Sequence, residues 1–434
     1  MQNKQVLDIF IESSRVGTFF TLPFTMPADV ESLTIRYSYE RFHDGEPAGG
    51  FTPRIEINII DIGLISPSGY QVGASGSNKT EIHIDSTSAT PGYHIVPLTP
   101  GKWQILIGAY KIAPEGAKVT YELTFAPKQL RMLKGDLHTH TFGSDGVLGA
   151  EELARHALRH GLDFLAITDH NQFAATDAFP HVPGVTLIPG VEWTHYQGHA
   201  NFLGVDRPYA GLFATNTPDE AAARFASARE NGALIVLNHP FDEGAPFKFN
   251  FNVLPFDCLE IWNGPMRESN LRALGLWHSL LSAGKKIPIV GGSDYHRDNL
   301  FQILGGPTTC VFSMSTSPAD ILPALKAGHA YLTFAPIGPT LEFSAGGVLL
   351  GDSVRWADVK EMHIKVDGLI TGDRINLVTR DASESLITAS STGSFDAVIP
   401  MPAPGFARVE VHRVFIPGVP PLPALISNPI YFDA

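Results

Sequence analysis

Two histidines one residue apart, His138 and His140, stand in the run GDLHTHTFGSDG over 135–146, with Asp145 on the turn that follows. Residues two apart in a strand face the same side, so both imidazoles can meet one metal ion at the strand's end while Asp145 reaches a neighbouring position. Such a pair also occurs in ordinary strands, and it is recurrence that separates the two readings. FLAITDHN ends on Asp169, His170 and Asn171, LIPGVEW supplies Glu192, LIVLNHP supplies His239, and IPIVGGSDYH supplies Asp294 and His296. Each closes an apolar run that reads as a strand, and in parallel α/β folds the strand C-termini converge on one face. Imidazoles and carboxylates gathered there point to divalent metal ions. The two cysteines, Cys258 and Cys310, lie in apolar stretches that read as buried strands, so the metal is expected on nitrogen and oxygen alone.

Ions held this way lower the pKa of bound water and polarise a phosphoryl oxygen. A pair about 3.5 to 4 Å apart suits attack by a metal-activated hydroxide on a phosphate mono- or diester, with no serine or cysteine nucleophile required. Proton delivery to the leaving group needs a further acid, for which Asp294 and an unliganded histidine such as His195 are alternative candidates. Arg297, directly after SDYH, and Arg267, after the LEIWNG strand end, are candidate phosphate clamps, and each reads equally well as a surface ion-pair partner. His156 and His160 have the i, i+4 spacing of a helical metal pair. Arg155 and Arg159 accompany them opposite the apolar face, however, which is the composition of a solvated surface. Trp193, beside Glu192, is a candidate pocket wall, and Asn171 and Asn263 either orient ligands or close turns.

These residues need elements to carry them. From Lys134 to about Gly338, short apolar runs alternate with helical stretches, the habit of strands wrapped by crossover helices. A helix over 151–160 sets Leu153, Ala154, Ala157 and Leu158 on one face, with Gly161 as C-cap. TPDE at Thr217 offers a Thr N-cap, Pro218 in the first turn and Glu220 closing a capping box, and SPAD at Ser317 repeats the device with Asp. On either side the period changes to two. Residues 17–127 hold RIEINIIDI (54–62), WQILI (103–107) and VTYELTF (119–125), separated by turn clusters, as in a sandwich of short strands. Similar runs return at 362–366, 375–378 and 407–414. The expected organisation is an N-terminal β-sandwich over 1–130, an α/β metal-binding unit over 131–338 and a small β domain over 339–434.

Taken in order, the HxH with its downstream SDG, the TDHN, the GVE, the NHP and the SDYH resemble the PHP (polymerase and histidinol phosphatase) superfamily of metallohydrolases, over residues 133–296. Within it the chain looks most like the members flanked by β domains, the carbaryl hydrolase relatives. The resemblance implies a distorted seven-stranded (β/α)7 barrel and two or three divalent ions, commonly zinc, manganese or iron. It implies that His138, His140, Glu192 and Asp294 hold one ion and that Asp145, His170 and His296 hold a second. Glu192 would bridge to a third, completed by His199 and His239. His199 is preferred to His195 because HANFLGV resembles the family's histidine before an apolar strand, which leaves His195 as a loop residue. Asp294, His199 and Arg297 are the residues this reading assigns to catalysis.

The balance of 44% hydrophobic and 17% charged residues over 434 positions excludes a disordered or fibrous class. A net charge of -13 without any Lys/Arg run argues against duplex nucleic acid as a partner, while cations in one cleft can still reverse the local field for a small anion. No segment reaches the ~18 apolar residues of a membrane span, and residues 1–16 lack a basic stretch followed by a long apolar one, so a cytoplasmic chain without membrane contact is expected. The leading reading is a hydrolase of a small phosphorylated substrate. Its rivals are a carbamate or carboxyl ester hydrolase of the carbaryl hydrolase type and a nuclease of single-stranded ends, the latter weakened by the lack of an Arg/aromatic stacking stripe. A binding protein that keeps its metals without turnover is the different-class alternative. Against it, no expected ligand position carries an apolar residue.

Overall fold

Side chains at alternate positions of a strand face opposite ways, so the alternation near the N-terminus yields sheets with one apolar face. The computed structural model describes residues 4–46, 52–173, 179–251 and 253–434. It divides into two units, Met1–Gln129 and Leu130–Ala434. In the first, one antiparallel sheet orders Lys4–Ile11, Ala117–Pro127, Val30–Tyr39 and Glu81–Ile84, and another orders Thr18–Met26, Gly101–Lys111, Ile59–Ile65 and Gln71–Ser75. Ile35 and Tyr121 from one meet Ile62, Trp103 and Ile105 from the other in a shared core. The single strand expected over 54–62 is broken into Arg54–Glu56 and Ile59–Ile65. Between them the buried Asn58 amide donates to Glu40 O at 2.7 Å and accepts from Ala113 N at 2.8 Å, so a side chain takes over backbone partners that a ladder would otherwise supply.

The second unit is mixed α/β. Its largest sheet runs through Ile289–Gly292, Cys258–Asn263, Leu234–Leu237, Gly198–Leu203, Thr186–His195, Phe164–Ile167, Arg131–Asp136, Thr308–Ser313 and Ala330–Thr333. Pairing is parallel across the first three and again from Thr186–His195 to Arg131–Asp136, whereas Gly198–Leu203 is antiparallel to both neighbours. Phe164–Ile167, Leu234–Leu237 and Ile289–Gly292 are buried at every position, as continuous apolar runs in a covered sheet must be. A parallel bridge between Thr139 and Tyr295 brings the ends of Arg131–Asp136 and Ile289–Gly292 together.

Helices Ala150–Arg159, Pro218–Glu230, Glu268–Ser282 and Pro318–Ala327 pack on these strands. Ala221, Phe225 and Trp277 join Val191, Ile235 and Ile261 in one core, and Ile321 and Leu325 join Leu133 and Val236 in another. Thr217 and Glu220 form the expected capping box. Ser317 caps Ala319 N, but Asp320 does not close a box, because its carboxylate takes the Ser315 hydroxyl. Leu158 is exposed, since the buried stripe of its helix is centred on Leu153, Ala154 and Ala157. Among the described residues no helix is long and apolar enough to cross a membrane.

Beyond Thr340, Val348–Leu349, Thr340–Ala345, Glu361–Leu369 and Gly393–Pro400 form a separate four-stranded sheet. Leu422–Ser427 instead pairs with Ala330–Thr333, and Gly405–Arg413, Arg374–Val378 and Ser383–Thr388 extend the large sheet from there. The stretch 339–434, separable by its period alone, is thus hydrogen-bonded into the unit that carries the metal-site motifs. Period two tells which way a strand's side chains face and is silent about its partner.

Candidate metal centre

The histidine and acidic motifs lie where consecutive strands of the large sheet end. His138 and His140 follow Arg131–Asp136, with Thr139 between them bridged to Tyr295 and its hydroxyl donating to Ala166 O at 2.6 Å. Both rings turn inward, fully buried, with centroids 5.2 Å apart. His170 follows Phe164–Ile167 and bridges to Glu192 within Thr186–His195, and His199 lies opposite Thr194 in the next strand. His239 closes Leu234–Leu237, and Asp294 and His296 follow Ile289–Gly292. His239, Asp294 and Asn171 have φ of 21°, 51° and 52°. That region is sparsely used by such residues, and strain of about 1–3 kcal/mol apiece persists only where the surroundings over-determine it. A Cβ on Gly292 would lie 2.3 Å from the Cβ of His138, so the second glycine of IPIVGGSD is what permits this close approach.

Glu192 sits at the middle, fully buried. Its Oε1 lies 3.2 Å from His138 Nε2, 3.1 Å from His199 Nδ1 and 3.4 Å from His239 Nε2. Its Oε2 lies 2.6 Å from His170 Nδ1 and 3.7 Å from His140 Nε2. Asp294 Oδ1 is 2.9 Å from His140 Nε2 and 3.4 Å from His138 Nε2, and Asp145 Oδ1 is 3.2 Å from His296 Nε2 and 3.6 Å from His170 Nε2. All nine residues read from the sequence as metal ligands therefore come together.

Their donor atoms fall into overlapping groups: His138, His140 and Glu192; His140, Asp145, His170 and His296; Glu192, His199 and His239; and His138, His239 and Glu260. Two buried atoms at the centre, His138 Nε2 and Glu192 Oε2, lack a hydrogen-bond partner, a costly condition unless a cation completes them. Imidazole with carboxylate suits zinc, manganese or iron, and the absence of thiolate matches the two buried, unpaired cysteines. The residues present fit such ions.

Sequence reasoning missed the layer behind. Glu260 Oε1 accepts from His138 Nδ1 at 3.0 Å, while Oε2 accepts from His239 N at 3.0 Å and Asn263 Nδ2 at 3.2 Å. The available signal was an acid inside the apolar strand LEIW, where a charge is too costly to bury without a partner. Asn238 donates to Glu192 Oε1 at 2.9 Å, and Asp169 accepts from Thr141 N and Ser144 Oγ, both at 2.7 Å. Asp136 accepts from the backbone of His138, Ser293 and Gly305. Burial pushes its carboxyl up to about 6 against those hydrogen bonds.

Burial also opposes charge on His138, but Asp294, Glu192 and Glu260 together outweigh it and raise this imidazole well above its ordinary value. Burial lowers the neighbouring His140. For Glu192, burial is outweighed by the charge on His138 and by the close approach of the His138, His170 and His199 imidazoles, which hold the carboxyl well below the usual range. Asp294 is likewise held low, burial being outweighed by His138 and His140. An ionised Asp294 accepts protons and has none to give at neutral pH.

His195 lies outside the cluster. Its Nδ1 accepts from Gln197 N and its Nε2 faces Thr215 O at 3.1 Å, so both ring nitrogens serve the backbone. Trp193 is a core residue and no pocket wall: it is fully buried, donating to Phe213 O and packing on Phe225. Asn171 exchanges hydrogen bonds with the backbone of Thr194, and Asn263 reaches both Glu260 and Asp294. Arg267 is engaged by Asp242 and by Asn263 Oδ1 at 2.9 and 3.2 Å. Arg297 is exposed, and among the described residues no hydrogen bond or ion pair ties it to the cluster.

No family model matches the chain. Over 64 residues it is 38% identical to the DNA polymerase/3′-5′ exonuclease PolX of Bacillus subtilis, and over 89 residues it is 43% identical to a 5′-3′ exoribonuclease of Haemophilus influenzae. These matches span 14% and 19% of this chain and only 11% and 32% of the two relatives. A solved two-domain protein from Bacteroides vulgatus, described as containing a predicted PHP-like metal-dependent phosphoesterase, is similar with a TM-score of 0.40 and 18% identity, covering 69% of this chain and 95% of that one. None of these three proteins is a carbaryl hydrolase.

Proposed function

We propose that this chain, resembling the PHP metallohydrolases, hydrolyses small phosphate mono- or diesters with two or three divalent ions, zinc, manganese or iron, as cofactor. The observation that carries this reading is the single buried carboxylate of Glu192, whose two oxygens face five imidazoles from four segments of the chain. In this reading His138, His140, Glu192 and Asp294 hold one ion, Asp145, His170 and His296 a second, and Glu192, His199 and His239 a third. Ions bound there lower the pKa of water and neutralise charge on a phosphoryl group. The seven strands from Ile289–Gly292 to Arg131–Asp136 are read as a distorted (β/α)7 barrel, supported by the Thr139–Tyr295 bridge.

The chain's own contribution is order around that set. Glu260 accepts a hydrogen bond from Nδ1–H of His138 and so keeps that proton on Nδ1, leaving the Nε2 lone pair pointing inward. Asn263 links Glu260 to Asp294, and Arg267 in turn holds Asn263. Arg297, uncommitted one residue past His296, is the side chain offered to an anionic substrate. A second reading, cleavage at single-stranded nucleic acid ends, is favoured by the exonuclease relatives. Turnover by metal-loaded protein of p-nitrophenyl phosphate, bis-p-nitrophenyl phosphate, a short labelled oligonucleotide and 1-naphthyl N-methylcarbamate separates the readings. Cleavage of the small phosphate esters is expected, nucleotide release alone supports the second reading, and carbamate cleavage without any phosphate turnover overturns both.

A further inference from the structure

Asp294 and His296 stand on a short segment in which Ser293 and Tyr295 are buried, so its carbonyls must find donors within the protein. Tyr295 O accepts from His140 N and His296 O from Val147 N, both at 2.9 Å. The two carbonyls before them are met by side chains. Gln302 Nε2 donates to Ser293 O at 2.9 Å and also to Asp294 O, so that one amide spans two successive peptides. Asp294 O lies 2.7 Å from His296 Nδ1 as well. A carbonyl can only accept, so Nδ1 carries the proton and the lone pair of His296 stands on Nε2, the atom 3.2 Å from Asp145 Oδ1. The amide of Gln302 is itself aimed. Asn299 Nδ2 donates to Gln302 Oε1 at 3.2 Å, which leaves the Gln302 nitrogen facing the two carbonyls. Asn299 Oδ1 accepts from Phe301 N at 2.9 Å and from Gln302 N at 2.8 Å, closing an Asx-type turn. Leu300 and Phe301 at its tip are 92% and 79% exposed, so hydrogen bonds rather than apolar burial hold this turn in place.

We propose that Gln302 is a positioning residue of the metal centre. Its amide holds Asp294 in the left-handed backbone conformation, φ 51°, that carries the carboxylate to His138 and His140, and it fixes the carbonyl that sets the tautomer of His296. The inference rests on the metal-centre reading above and extends it to a side chain six positions beyond His296. Without this amide the Asp294 peptide loses a donor that keeps its carbonyl turned toward His296 Nδ1, and the ring is free to place its proton on Nε2, where it blocks a cation. In that reading Asp294 and His296 serve different ions, so one substitution reaches both.

The test compares the full-length parent with Gln302→Met, which keeps the length of the side chain and removes its donors. Both are stripped by chelator, titrated with zinc against a chromogenic chelator, and loaded separately with cobalt(II), whose visible absorption follows ligand geometry. A metal affinity about tenfold below the parent's, with altered cobalt absorption, is expected for the loss of a group that orients ligands. Gln302→Glu, of nearly the same shape but with an oxygen facing the two carbonyls, should lose at least as much, and it is read in place of Gln302→Met should that variant fail to fold. Affinity within twofold of the parent and an identical cobalt spectrum overturn the assignment. So does earlier melting of the metal-free variant with an unchanged cobalt spectrum, the mark of a glutamine that only braces the loop. A parent that takes up no divalent ion overturns the metal-centre reading and this one with it, whereas an unchanged variant of a metal-binding parent overturns this one alone.

Discussion

Replacing Glu260 by glutamine changes one oxygen to an amide nitrogen and should weaken metal binding at a residue that is not among the nine sequence-read ligands. Three donors converge on this carboxylate: His138 Nδ1, His239 N and Asn263 Nδ2. A glutamine has one acceptor oxygen. If that oxygen stays with His239 and Asn263, its NH2 faces His138 Nδ1 and forces the ring into the tautomer with its proton on Nε2, the atom that points at Glu192 and Asp294. If the amide turns the other way, two buried N–H groups face an NH2. Loss of such an orienting partner costs about 10- to 100-fold in metal affinity, or ~1.4 to 2.7 kcal/mol. The assay is competition against a chromogenic chelator, with thermal melting of the metal-free protein as the check on folding. Metal affinity within twofold of the parent in a normally folded Glu260→Gln protein would refute the claim that Glu260 sets the tautomer of His138.

Further outcomes follow from the same geometry. In the metal-free protein burial opposes charge on His138, His170 and His239, but the surrounding carboxylates raise all three. Their stabilising charge is complete below the unfolded value of about 6.5 and lost as pH rises through the folded values. Glu192 and Asp294, held low, contribute above about 4.3 and lose that contribution on acidification. Melting of chelator-treated protein should therefore peak between about pH 4.3 and 6.5 and fall toward pH 9, with added metal reversing the alkaline fall; a flat profile contradicts this. Gly292→Ala, whose Cβ would lie 2.3 Å from that of His138, should destabilise by about 1–3 kcal/mol and release metal, as read by denaturant melts and metal counts. Trp277 is fully buried and donates to Ile287 O at 2.8 Å. Trp277→Ala should cost about 3–5 kcal/mol and Trp277→Phe about 1 kcal/mol in urea unfolding. Arg297→Ala should raise KM for a phosphate ester about tenfold and leave a neutral carbamate unaffected, since a hydrogen bond to a charged group is worth ~1.5 kcal/mol or more.

The residues of the candidate centre were legible because each motif is local: an apolar run, a strand end, then an imidazole or carboxylate within a few positions. His138, His170, His239 and Asp294 all sit just past such runs, and the capping box at Thr217 and Glu220 is local in the same way. Glu260 was not legible, since its role depends on His138, a residue 122 positions away. The break at Asn58, the joining of Leu422–Ser427 to Ala330–Thr333 and the meeting of the His156 ring with Tyr295 escaped for the same reason. Sequence by itself determined which side chains can bind a cation and which way each strand faces, because composition and periodicity are properties of neighbours along the chain. Only the tertiary structure decided which strand lies beside which, and hence which carboxylate orients which imidazole, because those partners are chosen by packing and hydrogen bonding between segments far apart in the sequence.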